Sequence, residues 1–153
     1  MSTKLLQRRM SLPIWEKREH ILSCINAKYR NADSSKNIAL TIITGETGCG
    51  KSTQLPQFIL NSSPNAKIVC TQPRWLSAIA LADRVSMECG EDTVGGLVGY
   101  AVRHEKKVSH RTRLTFCTTG TLLRSMSLHY NDSRRGKRNT KSMWSNDNLP
   151  GML

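Results

Sequence analysis

A chain of 153 residues has the length of one domain with a buried core, and 23 Lys and Arg against 11 Asp and Glu give it a formal net charge of +12. That balance points to an anionic partner, nucleic acid ahead of a membrane surface. No apolar run is long enough to cross a bilayer, and the N-terminus has no secretory signal, so the expected setting is cytoplasmic or nuclear, without a membrane.

Cys24, Cys49, Cys70, Cys89 and Cys117 are odd in number and widely spaced, with no C-x-x-C pair, so they read as reduced thiols. Cys70 and Cys117 lie in strand-like runs as small core residues. The four histidines lack ligand spacing, and no protein-ligated metal cluster is expected.

In chain order, Ser11 is the expected N-cap of a helix with Pro13 in its first turn, where a missing N–H costs nothing. Ile14, Arg18, Ile21, Leu22 and Ile25 fall on one face of that helix. Residues 30–37 have turn composition. The apolar run 38–44 then reads as a strand, followed by Gly45-Glu46-Thr47-Gly48-Cys49-Gly50-Lys51-Ser52 and the helical stretch 53–60.

This strand, loop and helix fit the pattern G-x-x-x-x-G-K-S/T, a phosphate loop. Its glycines let successive backbone N–H groups turn inward around phosphate oxygens, and the helix points its positive end at them. Lys51 is expected on the β- and γ-phosphates, Ser52 on the bridging Mg²⁺, and Thr53 on the α-phosphate. The leading helix is expected to pack beside this loop.

Further along, residues 67–71 read as a strand, and Thr71-Gln72-Pro73-Arg74-Trp75 leads into a helix. Leu76, Ile79, Ala80 and residues 82–85 give that helix an apolar face, and Gly90 marks its end. Val98, Tyr100 and Val102 alternate as in a strand, residues 113–118 form another, and Thr119-Gly120-Thr121 opens a helix. Strands alternating with helices from 38 to 124 imply an α/β fold with a parallel sheet, flanking helices and nucleotide at the carboxyl ends of the strands. Residues 125–153 are polar, with Arg134-Arg135-Gly136-Lys137-Arg138 as a basic cluster, and read as a disordered basic tail.

Four segments together narrow the reading. Residues 45–54 closely resemble the first motif of DEAH-box (DExH) RNA helicases, G-E-T-G-x-G-K-S/T-T-Q, and Thr71-Gln72-Pro73-Arg74 resembles their T-Q-P-R-R. Residues 99–105 resemble G-Y-x-I-R-F-E, and residues 118–124 resemble T-x-G-x-L-L-R. The resemblance implies an incomplete P-loop NTPase (RecA-like) domain over 38–124, preceded by an extension and leading helix over 1–37.

It also implies ATP and Mg²⁺ at Gly45, Glu46, Thr47, Gly48, Cys49, Gly50, Lys51, Ser52 and Thr53, with Lys51 and Ser52 catalytic and Ser52 on the metal. Arg74, Arg103, Thr118, Gly120 and Arg124 would line a groove for single-stranded or structured RNA, or DNA. For each arginine alone, a solvated charge or an ion pair fits as well as an RNA contact.

Two departures stand out. Trp75 replaces the second arginine of T-Q-P-R-R, where an indole can fill core space or stack on a base, and packing is the expectation. After Arg124 nothing matches D-E-x-H, the serine-threonine motif or the second RecA-like domain, and Asp132 and Asp147 are the acidic residues there.

The implied function is the ATP- and RNA-binding portion of an ATP-dependent RNA helicase. The alternatives are a non-catalytic nucleotide- and RNA-binding fragment, favoured by the missing D-E-x-H, and a P-loop NTPase of another family. The expected turnover of this chain alone is near background.

Overall fold

In the computed structural model, which describes residues 3–30 and 40–134, the chain divides into two units, Ser2–Asn65 and Ala66–Leu153. The division falls inside the 38–124 segment that the sequence presents as one partial domain.

The first unit is helical: α1 (Thr3–Met10), a 3₁₀ turn (Pro13–Lys17), α2 (Arg18–Arg30) and α3 (Lys51–Ser62). Its core is Ile14, Ile21, Leu22 and Phe58, with Leu12, Trp15, Ile25, Ile43 and Leu55 packed against it. The face expected of the leading helix therefore does turn inward, and its polar member, Arg18, sets its guanidinium 5.6 Å from the centroid of the Phe58 ring. Trp15 meets the same ring edge-on at 5.1 Å.

The start of that helix differs from expectation. Ser11 Oγ donates to the carbonyl of Arg8 at 2.9 Å, so Ser11 closes α1 instead of opening the next element. Leu12 stands at the N-cap in extended conformation with no side-chain cap, and Pro13 opens a 3₁₀ turn before α2 begins at Arg18. A proline cannot donate to a preceding turn, which separates the two helices here.

Helix α1 carried no sequence signal, because what holds it is a buried cation. Arg9 is only 6% exposed. Its Nε donates to Gln54 Oε1 at 3.1 Å and its Nη2 to Gln57 Oε1 at 2.6 Å, while Trp15 Nε1 reaches the same Gln54 oxygen at 3.3 Å. A charge removed from water needs such acceptors, and the Trp15 ring, 5.9 Å from the guanidinium, adds a cation–π contact.

The strand expected over 38–44 is not formed at residues 40–44, and Ile38 and Ala39 lie outside the described residues. Side chains along 40–44 alternate, Thr41 and Ile43 half-buried against the helices while Leu40 and Ile42 are 69% and 78% exposed. Alternation alone makes an extended segment; a strand also needs a neighbouring ladder, and none forms there among the described residues.

The second unit is an α/β layer. Strands β1 (Ile68–Gln72), β2 (Val98–Ala101), β3 (Lys106–Lys107) and β4 (Leu114–Thr118) form one sheet in the order β1-β4-β2-β3. The first three neighbours are parallel, with Cys70 opposite Phe116 and Ala101 opposite Cys117. The β3 strand is antiparallel, so the sheet is mixed rather than purely parallel. Residues 102–105 are too few for a crossover, and the Val102 N–H donates across the turn to the Glu105 carbonyl at 2.8 Å, which returns the chain antiparallel.

Helix α4 (Trp75–Glu88) covers β2 and β4. Ala78, Ala82 and Val85, all 0% exposed, form its inward stripe. Leu76 and Ala80, assigned to that stripe from sequence, are exposed. Small side chains at spacing i, i+4, i+7 let the helix approach a sheet already filled by Leu114 and Phe116. Gly90, at φ +82, ends the helix as expected.

Glu91 steers the entry to β2, its carboxylate accepting the N–H groups of Leu97 and Val98 at 2.5 and 3.1 Å. Within β2, a Cβ on Gly99 would come 2.4 Å from the Lys107 carbonyl oxygen, so only glycine admits β3 there. Helix α5 spans Thr119–Arg134, ten residues beyond the boundary drawn at 124. Propagation adds a hydrogen bond per residue, and between Gly120 in the first turn and Gly136 the sequence has no glycine or proline to stop it. The remainder of the expected tail, 135–153, lies outside the described residues.

Candidate nucleotide loop and nucleic-acid edge

The loop between residue 44 and α3 turns on two left-handed glycines, Gly48 at φ +85 and Gly50 at φ +102. At Gly50 a Cβ would also meet Ile14 Cγ2 at 2.9 Å, so glycine is required for shape and for space. The Cys49 carbonyl accepts the Ile14 N–H at 3.2 Å, which ties the loop to the 3₁₀ turn.

Gly50 is the N-cap of α3, and its carbonyl accepts the N–H groups of Thr53 and Gln54 at 3.2 and 2.8 Å. The N–H groups of Lys51 and Ser52 open the helix with no acceptor among the described residues. Lys51 Nζ folds back over the loop, donating to the carbonyls of Gly45 at 2.6 Å and Glu46 at 2.7 Å. Thr53 Oγ1 contacts the Gly50 carbonyl at 3.3 Å. Ser52 and residues 45–48 are exposed.

Beside the loop lies a cleft of about 520 Å³, lined by Pro13, Ile14 and Ile21 from the leading elements, Ile43, and Gly45 and Lys51 of the loop. Its size falls in the range of small-molecule sites. The leading helix does border the loop, as expected.

The donor set fits a polyphosphate with its cation. Two helix-opening N–H groups lack acceptors among the described residues, and the Lys51 ammonium rests on two neutral carbonyls and the Cys49 sulfur at 3.5 Å, partners that a phosphate oxygen would outcompete. The exposed Ser52 hydroxyl is free to ligate a hard cation.

The second set of candidate residues lies in the sheet unit. Because β1, β4 and β2 run parallel, with Gln72 opposite Thr118 and Ala101 opposite Cys117, their carboxyl ends share one edge. Arg74 stands two residues past β1, Arg103 two past β2, and Gly120 and Arg124 in the opening turns of α5; all four are exposed. Thr118 is half-buried and its hydroxyl accepts the Thr121 N–H at 3.4 Å while lying 2.8 Å from Thr121 Oγ1, so it caps α5.

Trp75, expected to pack, is 59% exposed as the first residue of α4. The inward stripe begins at Ala78, and position 75 falls outside it.

Tyr100 and Glu105 form a pair that sequence reasoning missed. The Tyr100 hydroxyl donates to the Glu105 carboxylate. Burial first, and then this bond, push the phenol up to about 12. The pairing becomes visible only when β2 is known to return through a tight turn. Burial also raises the Cys70 and Cys117 thiols to about 11; Cys117 is in the core as expected, whereas Cys70 is only half-buried, and all five cysteines are free. Among the described residues no His, Cys, Asp or Glu cluster could hold a metal, and no helix is long and apolar enough to cross a membrane.

No family model matches the chain. Individual proteins do. Human DHX57, named as an ATP-dependent RNA helicase, is 48% identical over 128 residues, which is 80% of this chain and 8% of that protein. The Arabidopsis thaliana DExH-box ATP-dependent RNA helicase DExH1 is 46% identical over 124 residues, 77% of this chain and 11% of its own length. The human ATP-dependent RNA helicase DHX29 is 40% identical over 134 residues, 80% of this chain and 9% of its own length. The chain thus spans about a tenth of the relatives it matches, and over that stretch its sequence is similar to proteins named as DEAH/DExH-box ATP-dependent RNA helicases.

Proposed function

We propose that the chain is the ATP- and RNA-binding portion of a DEAH-type ATP-dependent RNA helicase, built on part of a RecA-like P-loop domain. The observation that carries the reading is the loop itself: left-handed Gly48 and Gly50, acceptor-free N–H groups of Lys51 and Ser52, and the Lys51 ammonium held over the loop on two carbonyls.

In this reading residues 45–53 cradle the triphosphate. The Lys51 ammonium would hold the β- and γ-phosphates and Ser52 Oγ would hold Mg²⁺, whose positive charge would supply neutralisation for phosphoryl transfer. The Gly50 carbonyl fixes the helix start through Thr53 and Gln54, so the donors are aimed before a ligand arrives. Arg74, Arg103 and Arg124, with Thr118 and Gly120 shaping the start of α5, take the phosphates of an RNA strand without sequence preference.

Binding of a fluorescent ATP analogue with Mg²⁺ tests this. Wild type is expected to bind and Lys51→Ala to lose binding; equal binding by both would overturn the site. A second reading, a nucleotide- and RNA-binding segment without turnover, draws on residues 125–153, where Asp132 and Asp147 are the acidic residues and no D-E-x-H occurs. RNA-stimulated ATP hydrolysis that disappears in Lys51→Ala would exclude it.

A further inference from the structure

We infer that Trp75 is a stacking platform for an unpaired nucleobase, which makes the sheet edge a site for single-stranded rather than duplex nucleic acid. The inference deepens the RNA reading given above and rests on it. Tryptophan is highly buried on average in folded chains, yet Trp75 is 59% exposed and its neighbour Leu76 62% exposed, at the very start of α4.

The surroundings select the occupant. Arg74 immediately before it is exposed and offers the helix no side-chain cap, and Arg103 and Arg124 are exposed on the same edge. Glu105, two residues past Arg103, accepts the Tyr100 hydroxyl. A π-surface next in sequence to one arginine, on an edge that carries two more, suits a nucleotide, phosphate on a cation and base on the ring. In a duplex the base faces are hidden within the stack, so the platform serves only an unpaired base. Relative to T-Q-P-R-R, this chain replaces one phosphate contact with a stacking contact.

The test uses the full 153-residue chain, a single-stranded oligouridylate and a blunt RNA duplex. Intrinsic tryptophan fluorescence is followed for wild type and for Trp75→Phe, with Trp75→Ala added for affinity; circular dichroism verifies that each variant keeps its fold. The single strand is expected to quench wild type and not Trp75→Phe. Trp75→Ala is expected to weaken single-strand binding roughly 5- to 150-fold at unchanged salt slope, Trp75→Phe to retain most of the affinity, and duplex binding to stay the same.

Undiminished binding by Trp75→Ala, or quenching that persists in Trp75→Phe and so arises at Trp15 or Trp144, overturns the platform. If wild type binds with a steep salt dependence but without regard to position 75, only this inference fails. If wild type binds no single strand at low salt, the RNA reading fails with it.

Discussion

The sheet unit and the loop unit are built to different standards of closure. In the sheet unit Val98, Ala101, Leu114, Phe116 and Cys117 of the strands and Ala78, Ala82 and Val85 of α4 are all 0% exposed. In the loop unit Phe58 is 1% exposed, but Ile14, Ile21 and Leu22 of the same core keep 5 to 8%, and the run entering the loop leaves Leu40 and Ile42 largely in solvent. A scaffold that is satisfied internally can present cations along its edge. A loop whose approach is held by one side of its side chains has room to rearrange when its lysine moves.

The contrast can be broken at its strongest point by truncating Phe116. Phe116→Ala is expected to cost about 3 to 5 kcal/mol in urea unfolding, against less than about 0.5 kcal/mol for Ile42→Ala. Similar losses would mean that residue 42 is as much part of a core as residue 116. Gly99→Ala is next. Its Cβ would lie 2.4 Å from the Lys107 carbonyl, so β3 has to move, at about 1 to 3 kcal/mol. Faster amide exchange at Val102, which donates across the β2–β3 turn, is the expected readout; unchanged exchange would refute the fit.

In the loop unit, Arg9→Met removes the donors that Gln54 and Gln57 accept and is expected to cost about 1 to 3 kcal/mol. A red shift of Trp15 emission would report the loosened contact between α1 and α3. No shift and no loss would make the buried arginine dispensable.

The smallest effect concerns pH and belongs to the sheet. The Tyr100 phenol is raised in the folded state, so its contribution is fully present below the ordinary tyrosine range and is lost as pH rises through about 12. Thermal stability should fall between about pH 10 and 12 in wild type, and less in Tyr100→Phe. Equal falls would separate the loss from this residue; the raised Cys70 and Cys117 thiols act in the same direction.

What sequence revealed follows from the range of the forces involved. The turn of the loop into α3 was legible because it is local: glycines at fixed spacing, two of them left-handed, immediately before a helix that starts at Lys51. The strand at 98–101 was legible from its alternation, and those at 68–72 and 114–118 as short strand-like runs, read at 67–71 and 113–118. The Lys106–Lys107 strand was not, since it owes its place to a tight return and to the absence of a side chain at Gly99. Helix α1 was hidden because its anchor, Arg9, finds its acceptors 45 and 48 residues away. Trp75 was misplaced because periodicity shows that a helix has an apolar face, but small residues, here Ala78 and Ala82, decided which one faces the sheet.

The central claim is that nucleotide is held by the loop unit and RNA by the sheet edge, through separate residues. It is tested most directly by titrating wild type, Lys51→Ala and the triple variant Arg74→Ala, Arg103→Ala, Arg124→Ala with a fluorescent ATP analogue and with single-stranded RNA in parallel. Lys51→Ala should lose nucleotide and keep RNA. The triple variant should keep nucleotide and lose RNA affinity, its salt slope falling by about 0.7 for each phosphate contact removed. Loss of both ligands in either variant with its fold intact, or of neither, would contradict the claim.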